Sequence, residues 1–200
     1  MPLVSIERIG EYTQLGFWSI DESFDEFLNA DVTLLAACDG LRSEKRGKEV
    51  MAVRLLLREM LGVDVGLCHD AEGRPYLLNG MNIGISHTDG LAAVIVSKNS
   101  KVAVDVEYLS GRVGRIRDKF MRHDEQADDM QALLLHWCAK ETLYKLCSEL
   151  HPGLKDMRIF DVAEPLGFEG KIKAGIVPAN VIVDVFYRIT SKYVIAYSVL

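Results

Sequence analysis

The chain has 200 residues, 49% of them apolar, and a formal net charge of −6 at pH 7. This length can bury a core as one domain or as two compact lobes. The acidic balance argues against a general nucleic-acid binder, and no apolar run approaches the length of a membrane-spanning helix.

Two further features of the sequence predict the compartment. The N-terminal residues lack the charged and apolar regions of a secretory signal, and the four cysteines show no CxxC spacing. Buried free thiols in a reducing environment are therefore favoured over disulfides or a zinc site. We expect a cytoplasmic protein that does not associate with membranes.

The first half of the chain predicts strands around one strong helix. A strand pair is expected at residues 3–9 and 12–20, followed by short helical pieces over 23–38. The strong helix covers 43–61, with Ser43 as N-cap and Gly62 as terminator. Four more strands are expected, at residues 63–69, 75–78, 82–86 and 91–97.

The second half repeats the pattern of a long helix and a hairpin. A strand is predicted at residues 102–107, a helix at 129–149, and strands at 181–189 and 193–199. The hairpin 83–96 resembles 185–199, so the sequence predicts an α+β fold of two similar lobes, residues 1–99 and 100–200, related by a pseudo-twofold. A ligand cleft is expected between them, and two lobes in one chain predict a monomer.

The strand over 102–107 carries two carboxylates on one face. Its valines point to one side, and Asp105 and Glu107 point to the other. Two residues of rise separate these carboxylates by about 6.6 Å at the backbone, which lets both side chains reach one cation. An isolated DxE on a strand is nevertheless more often a solvated face.

The helix over 129–149 adds a third carboxylate and an ammonium. Glu141 and Lys145 lie one turn apart on one face. Together with the strand they offer three acidic donors and a cation, which suits a divalent metal working on phosphate. Taken alone, the pair is better explained as a surface ion pair worth a few tenths of a kcal/mol.

Several other groups could bind anions. Arg74 stands at a turn before a strand, Ser86 and His87 end a strand, and Arg46 lies in a basic helix start. All can donate to phosphate oxygens, although without other evidence an ordinary turn, hairpin end or solvated helix face is the better explanation. The segment 112–122 is rich in arginine and fits either a solvated helix face or a docking patch for an acidic macromolecule.

Three segments in this order resemble the signatures of the 4′-phosphopantetheinyl transferases. They are ISH at 85–87, VDVE at 104–107 and WCAKETLYK at 137–145. The chain length is most similar to the two-lobed, surfactin-synthetase-activating branch. The sequence departs from the family in having Arg74 where lysine is usual, and the spacing from Glu125 to Trp137 is short.

The resemblance implies a reaction and its catalytic residues. Enzymes of this family transfer the phosphopantetheine arm of coenzyme A to a serine of an acyl or peptidyl carrier protein, with Mg²⁺. By position, Asp105, Glu107 and Glu141 would bind Mg²⁺, Glu125 would be the general base, and Lys145 would neutralise the departing phosphate.

The resemblance also implies the binding residues. The coenzyme phosphates would be held, together with Lys145, by Arg46, Arg74, Ser86 and His87. An acidic carrier protein would dock near Arg112, Arg115, Arg117, Phe120, Met121 and Arg122.

Two rival readings of the sequence stay open. The first is a non-catalytic protein on the same fold that binds coenzyme A or a carrier, although it would not need Asp105, Glu107, Glu141 and Lys145 together. The second is a structural α+β protein whose motifs are coincidental. It predicts that Glu107→Gln and Lys145→Ala leave every ligand interaction unchanged.

Overall fold

A computed structural model describes residues 2–41, 43–160, 162 and 166–200. The chain divides into two compact units, unit 1 (Met1–Ser100) and unit 2 (Lys101–Leu200). Each unit combines helices with antiparallel strands, so the predicted α+β class is confirmed. None of the helices in the described ranges has the length and apolarity that a membrane crossing requires.

Unit 1 is built on an antiparallel sheet of strand order β1-β2-β6-β5, with β3 and β4 forming a separate hairpin. Its strands are β1 (Leu3–Gly10), β2 (Thr13–Ser19), β3 (Leu67–His69), β4 (Pro75–Leu77), β5 (Asn82–Thr88) and β6 (Leu91–Ser97). Its helices are α1 (Phe24–Ala30) and α2 (Glu44–Leu61), with a 3₁₀ helix at Val32–Cys38.

Helix α2 begins and ends where its capping residues predict. The Ser43 hydroxyl accepts a hydrogen bond from the Arg46 backbone N–H, and Gly62 adopts a left-handed φ of 70° at the C-cap. The apolar face packs on β2 and β6. At Gly16 the approach is so close that a Cβ would lie 2.8 Å from Met60 Sδ, so a larger residue would require the Met60 side chain to shift.

Unit 2 is built on an antiparallel sheet of strand order β7-β11-β10-β9-β8. Its strands are β7 (Val102–Tyr108), β8 (Met157–Phe160), β9 (Glu169–Ile176), β10 (Val181–Ile189) and β11 (Tyr193–Val199). Its α-helices are α3 (Arg117–Phe120) and α4 (Met130–Leu146). Short 3₁₀ helices lie at Val113–Ile116, Ser148–Leu150 and Val177–Ala179.

Helix α4 is fixed against the sheet of unit 2. Asp129 caps its start by accepting a hydrogen bond from the Ala132 N–H at 2.8 Å. The helix packs on β7, β10 and β11, and Leu135 and Leu143 are fully buried in this contact. Thr142 Oγ1 donates to the Ala196 carbonyl of β11 at 3.2 Å. These contacts set the rotation of α4 relative to β7.

Candidate active site

Strand β7 presents two carboxylates to the side of the sheet that α4 covers. Asp105 pairs with Ala196 and Glu107 with Val194 on β11, so the two residues follow the period of two. Ala103, which shares their face, belongs to the core under α4. Asp105 is only 4% exposed, whereas Glu107 is half-buried near the end of the strand.

Lys145 connects α4 to this strand. Its ammonium donates to Asp105 Oδ1 at 2.7 Å and to the Val104 carbonyl at 3.1 Å. The Asp105 carboxylate is nearly enclosed, so this is a largely desolvated ion pair rather than a surface one. The helix therefore places a positive charge against the strand carboxylate.

Two other residues of α4 lie at intervals of four from Lys145 and face the same strand. The Trp137 indole Nε1 donates to Glu107 Oε1 at 2.8 Å. Glu141 lies between Trp137 and Lys145 along the helix face and is half-buried. One stripe of α4 thus carries an indole donor, a carboxylate and an ammonium.

The charges of these groups act on one another. Burial, and then the negative charge of Asp105, raises the pKa of Glu107 above its usual range. Burial and the charges of Asp105 and Glu107 likewise raise the pKa of Glu141, and the Lys145 ammonium partly opposes the increase. Among the residues that the structure describes, three carboxylates therefore share one region with the ammonium of Lys145, which leaves an excess of negative charge.

This donor set suits a hard divalent cation. Within the described ranges, no three His, Cys, Asp or Glu side chains meet the geometry of a metal site as they stand. The residues nevertheless fit Mg²⁺, because carboxylate oxygens are its preferred protein ligands and the excess negative charge favours a cation. Asp105 Oδ1 already holds a cationic group, the ammonium of Lys145.

In unit 1 the structure brings Arg46 and His87 together around a carboxylate that the sequence did not single out. Glu49, only 8% exposed, accepts from Arg46 Nη1 at 3.0 Å and lies 3.3 Å from His87 Nδ1. The Arg46 guanidinium also contacts His87 Nε2. Ser86 is buried one residue earlier on β5. The sequence did contain a signal for this ion pair, because Arg46 and Glu49 are three residues apart on one helix.

Arg74 lies elsewhere in unit 1, in the hairpin that joins β3 to β4. Its guanidinium pairs with Glu72, and its backbone N–H donates to Asp70 Oδ1 at 2.9 Å. A cavity of about 240 Å³ in the same unit is lined by Asp31, Arg58 and their neighbours. It contains none of the predicted site residues, so the chemistry of the motifs does not lie there.

Comparison with known families decides the assignment of unit 2. Residues 101–197, which include β7 and α4, match the model of the 4′-phosphopantetheinyl transferase superfamily. This part of the chain belongs to that superfamily. The match supports phosphopantetheine transfer in general and leaves the branch within the superfamily open. A search of curated proteins gives no match.

Within this transferase domain, the location of Glu125 is typical of a structural residue. Its side chain has no exposed surface. Oε2 accepts from Lys140 Nζ at 2.7 Å and from the Arg122 N–H at 2.9 Å, and Oε1 accepts from the Ile159 N–H at 2.7 Å. Lys140 Nζ also donates to the Phe120 carbonyl at 2.6 Å. Both oxygens therefore attach the loop that follows α3 to helix α4 and to strand β8.

This position does not suit the general base that the family resemblance implies. A base must come within hydrogen-bond reach of the hydroxyl that it deprotonates. Glu125 is enclosed by its own ion pair and amide donors, so a substrate hydroxyl has no access to it as the domain is folded. Long-range hydrogen bonding of this kind, 34 residues from Glu125 to Ile159, leaves no local sequence signal.

The predicted docking patch of the transferase domain is only partly a surface. Phe120 has 0% and Met121 8% exposure, and both lie in the core of unit 2, so the prediction that they contact a carrier protein is wrong. Arg122 is half-buried and donates to Asp124 and to the Lys155 carbonyl, which makes it a structural residue. Exposed cations of the patch remain at Arg112, Arg115, Arg117 and Lys119.

Proposed function

We propose that the protein transfers the 4′-phosphopantetheine arm of coenzyme A to a serine of an acyl or peptidyl carrier protein, in an Mg²⁺-dependent reaction. One observation supports this most strongly. The ammonium of Lys145 lies on Asp105, within a group that also contains the mutually repelling carboxylates Glu107 and Glu141. The match of residues 101–197 to the superfamily supports transfer of this group in general.

The chemistry requires neutralisation of charge at a pyrophosphate. The serine oxygen forms a bond to the phosphorus that bears pantetheine, the bond from that phosphorus to the bridging oxygen breaks, and the nucleotide bisphosphate leaves. The serine proton passes to a base. Negative charge grows on the bridging oxygen, and a positioned ammonium stabilises it. We assign this role to Lys145, which must then move its Nζ from Asp105 to the phosphate.

The three carboxylates would hold the metal. Asp105, Glu107 and Glu141 supply the oxygen ligands, and a bound Mg²⁺ adds Lewis-acid polarisation of the phosphoryl oxygens. We assign Glu125 a positioning role in place of the general base, because its oxygens are engaged by Lys140 and by backbone amides.

We assign coenzyme A binding to cations and hydrogen-bond donors of unit 1. Arg46, Ser86 and His87 supply hydrogen-bond donors to its phosphates, and Arg74 supplies a further guanidinium. Glu49 keeps Arg46 and His87 in place before the coenzyme binds. The Arg46→Ala variant should bind coenzyme A more weakly in a calorimetric titration, whereas Arg8→Ala, at an exposed arginine on β1, should not.

The exposed cations of the docking patch fit an acidic carrier protein. Charge reversal by Arg115→Glu should raise the KM for the carrier and its dependence on ionic strength, and leave the KM for coenzyme A unchanged. Lys192→Glu, at an exposed turn between β10 and β11, is the matched control. We further propose that the enzyme is cytoplasmic and monomeric, and light scattering on the purified protein checks the monomeric state.

The direct test is the mass of the carrier. The purified protein is mixed with an apo carrier, coenzyme A and Mg²⁺, and the carrier should gain the mass of phosphopantetheine. Lys145→Gln should lower kcat/KM by about 10²–10³-fold, the usual cost of one charge-stabilising donor. Lys171→Gln, at an exposed lysine of β9, should react normally. Binding of coenzyme A without any mass gain on fatty-acid, polyketide or peptide carriers would contradict the proposal.

A further inference from the structure

We propose that Trp137 is a positioning residue, whose indole N–H holds the Glu107 carboxylate in the orientation that a divalent cation requires. The inference rests on the proposed metal site and adds a residue to it. Its basis is the hydrogen bond of 2.8 Å from Trp137 Nε1 to Glu107 Oε1.

The chemistry of the indole suits this task. An indole N–H is a donor only, so Trp137 can fix one carboxylate oxygen and cannot itself become a metal ligand. It is also neutral, and therefore does not compete with a cation for the carboxylate as an ammonium would. With Oε1 held by the indole, the second oxygen of Glu107 keeps a defined direction. Residues that orient metal ligands in this way commonly control metal affinity.

Trp137 is itself held by a chain of buried contacts. Its ring lies edge-on to the ring of Phe120, with centroids 5.2 Å apart and an interplanar angle of 69°. Phe120 is fully buried, and its carbonyl accepts from Lys140 Nζ, which pairs with Glu125. The indole therefore has a fixed partner on one side and the Glu107 carboxylate on the other. The enclosed ion pair of Lys140 and Glu125 thus has a role outside the transfer reaction: it fixes Phe120, and through Phe120 it supports Trp137.

The test measures metal affinity directly. Mn²⁺ serves as the probe and is titrated into the protein with and without saturating coenzyme A. The electron paramagnetic resonance signal of free Mn²⁺ measures how much of the ion stays unbound. Trp137→Phe keeps an aromatic ring against Phe120 and removes the N–H donor together with the pyrrole ring. We expect its Kd for Mn²⁺ to rise about 10–100-fold. Trp18→Phe, a matched change at a buried tryptophan of unit 1, should leave the Kd unchanged.

A second readout uses the same tryptophan as a reporter. The chain has two tryptophans, so Trp18→Phe leaves Trp137 as the sole indole emitter. Paramagnetic Mn²⁺ should quench that emission with the Kd of the titration, and diamagnetic Mg²⁺ should reverse the quenching.

The outcomes separate the inference from the proposed function. Wild-type protein that binds no Mn²⁺ under either condition would overturn the metal site and the inference with it. Wild-type binding with an equal Kd for Trp137→Phe would overturn the inference alone, even if the unfolding midpoint fell, because that pattern shows a purely structural role. A weakened Kd at an unchanged unfolding midpoint supports it.

Discussion

The enclosed pair of Glu125 and Lys140 gives a test of whether Glu125 is a base or a structural residue. In Glu125→Gln, the amide oxygen can still accept from the Ile159 N–H. The new NH₂ group then faces the Lys140 ammonium and the Arg122 N–H, which are both donors. Breaking a fully buried ion pair in this way costs about 3–5 kcal/mol. For a chain of this length that corresponds to a fall in Tm of roughly 6–20 °C.

The partner substitution should cost a similar amount, and the double substitution less than the sum. Lys140→Met leaves the Glu125 carboxylate buried with its amide donors alone, again at about 3–5 kcal/mol. In the double variant no charge is buried, and three groups are left without a partner: the new amide NH₂, the Arg122 N–H and the Phe120 carbonyl, at about 1–3 kcal/mol each. The cycle should therefore show a coupling of about 1–3 kcal/mol.

The assay is urea unfolding followed by Trp137 emission in the Trp18→Phe background, since Trp137 packs on Phe120 beside the pair. Carrier modification is then measured where every variant is folded. If the pair is structural, Glu125→Gln and Lys140→Met lose similar, modest activity. A base role would instead show as a loss of about 10²–10⁴-fold in Glu125→Gln, with Lys140→Met close to wild type. That result, or additive stability effects, would refute the structural assignment.

Three further predictions concern stability, and urea or thermal unfolding followed by circular dichroism checks each of them. Burial lowers the pKa of His136, so the folded state excludes a proton that the unfolded chain takes up below about pH 6.5. Stability should fall as the pH drops through that value, by at most about 1.4 kcal/mol per pH unit from this group, and His136→Gln should flatten the profile. Gly47→Ala should cost about 1–3 kcal/mol, because its Cβ would lie 2.7 Å from Phe24 Cε2; stabilisation by the better helix former would contradict this. Asn180 has a left-handed φ of 51°, so Asn180→Ala should cost about 1–2 kcal/mol and Asn180→Gly much less; equal effects would show that backbone conformation is not the cause.

The elements with strong local patterns could be predicted from the sequence. The helix over 43–61 has a serine cap and a terminating glycine, and it forms as α2. Strands β6, β10 and β11 have the predicted bounds. The strand expected over 63–69 begins only at Leu67, because the preceding residues lie outside the short β3–β4 pairing.

Two strands of unit 2 were missed for a physical reason. β9 (Glu169–Ile176) contains two glycines and two lysines, which lower its intrinsic strand propensity. It forms because β10 and β8 pair with it on either side, and its inward residues Ile172 and Ala174 are buried. β8 is only four residues long and depends on the same neighbour. Tertiary pairing, which a single sequence does not display, decides both.

The site was predictable where periodicity alone determines direction. Alternation on β7 puts Asp105 and Glu107 on one face, and a spacing of four on α4 aligns Glu141 with Lys145. The hydrogen-bond partners of Glu125 were not predictable, because they come from separate elements. Phe120 and Met121 stand among cations in the sequence, but the turn of α3 directs them into the core.

The pairing of β7 with β11 has a consequence for biosynthesis. Asp105 lies opposite Ala196, a residue 91 positions later (196 minus 105), and Glu107 lies opposite Val194. A ribosome therefore releases the strand that carries both carboxylates long before its partner strand is made. Contacts so distant along the polypeptide form slowly, since a large loop must close first. Unit 1, by contrast, holds all of its sheet partners within the first hundred residues and can fold while synthesis continues. We expect the nascent chain to acquire the proposed metal affinity only after β11 (Tyr193–Val199) has been synthesised.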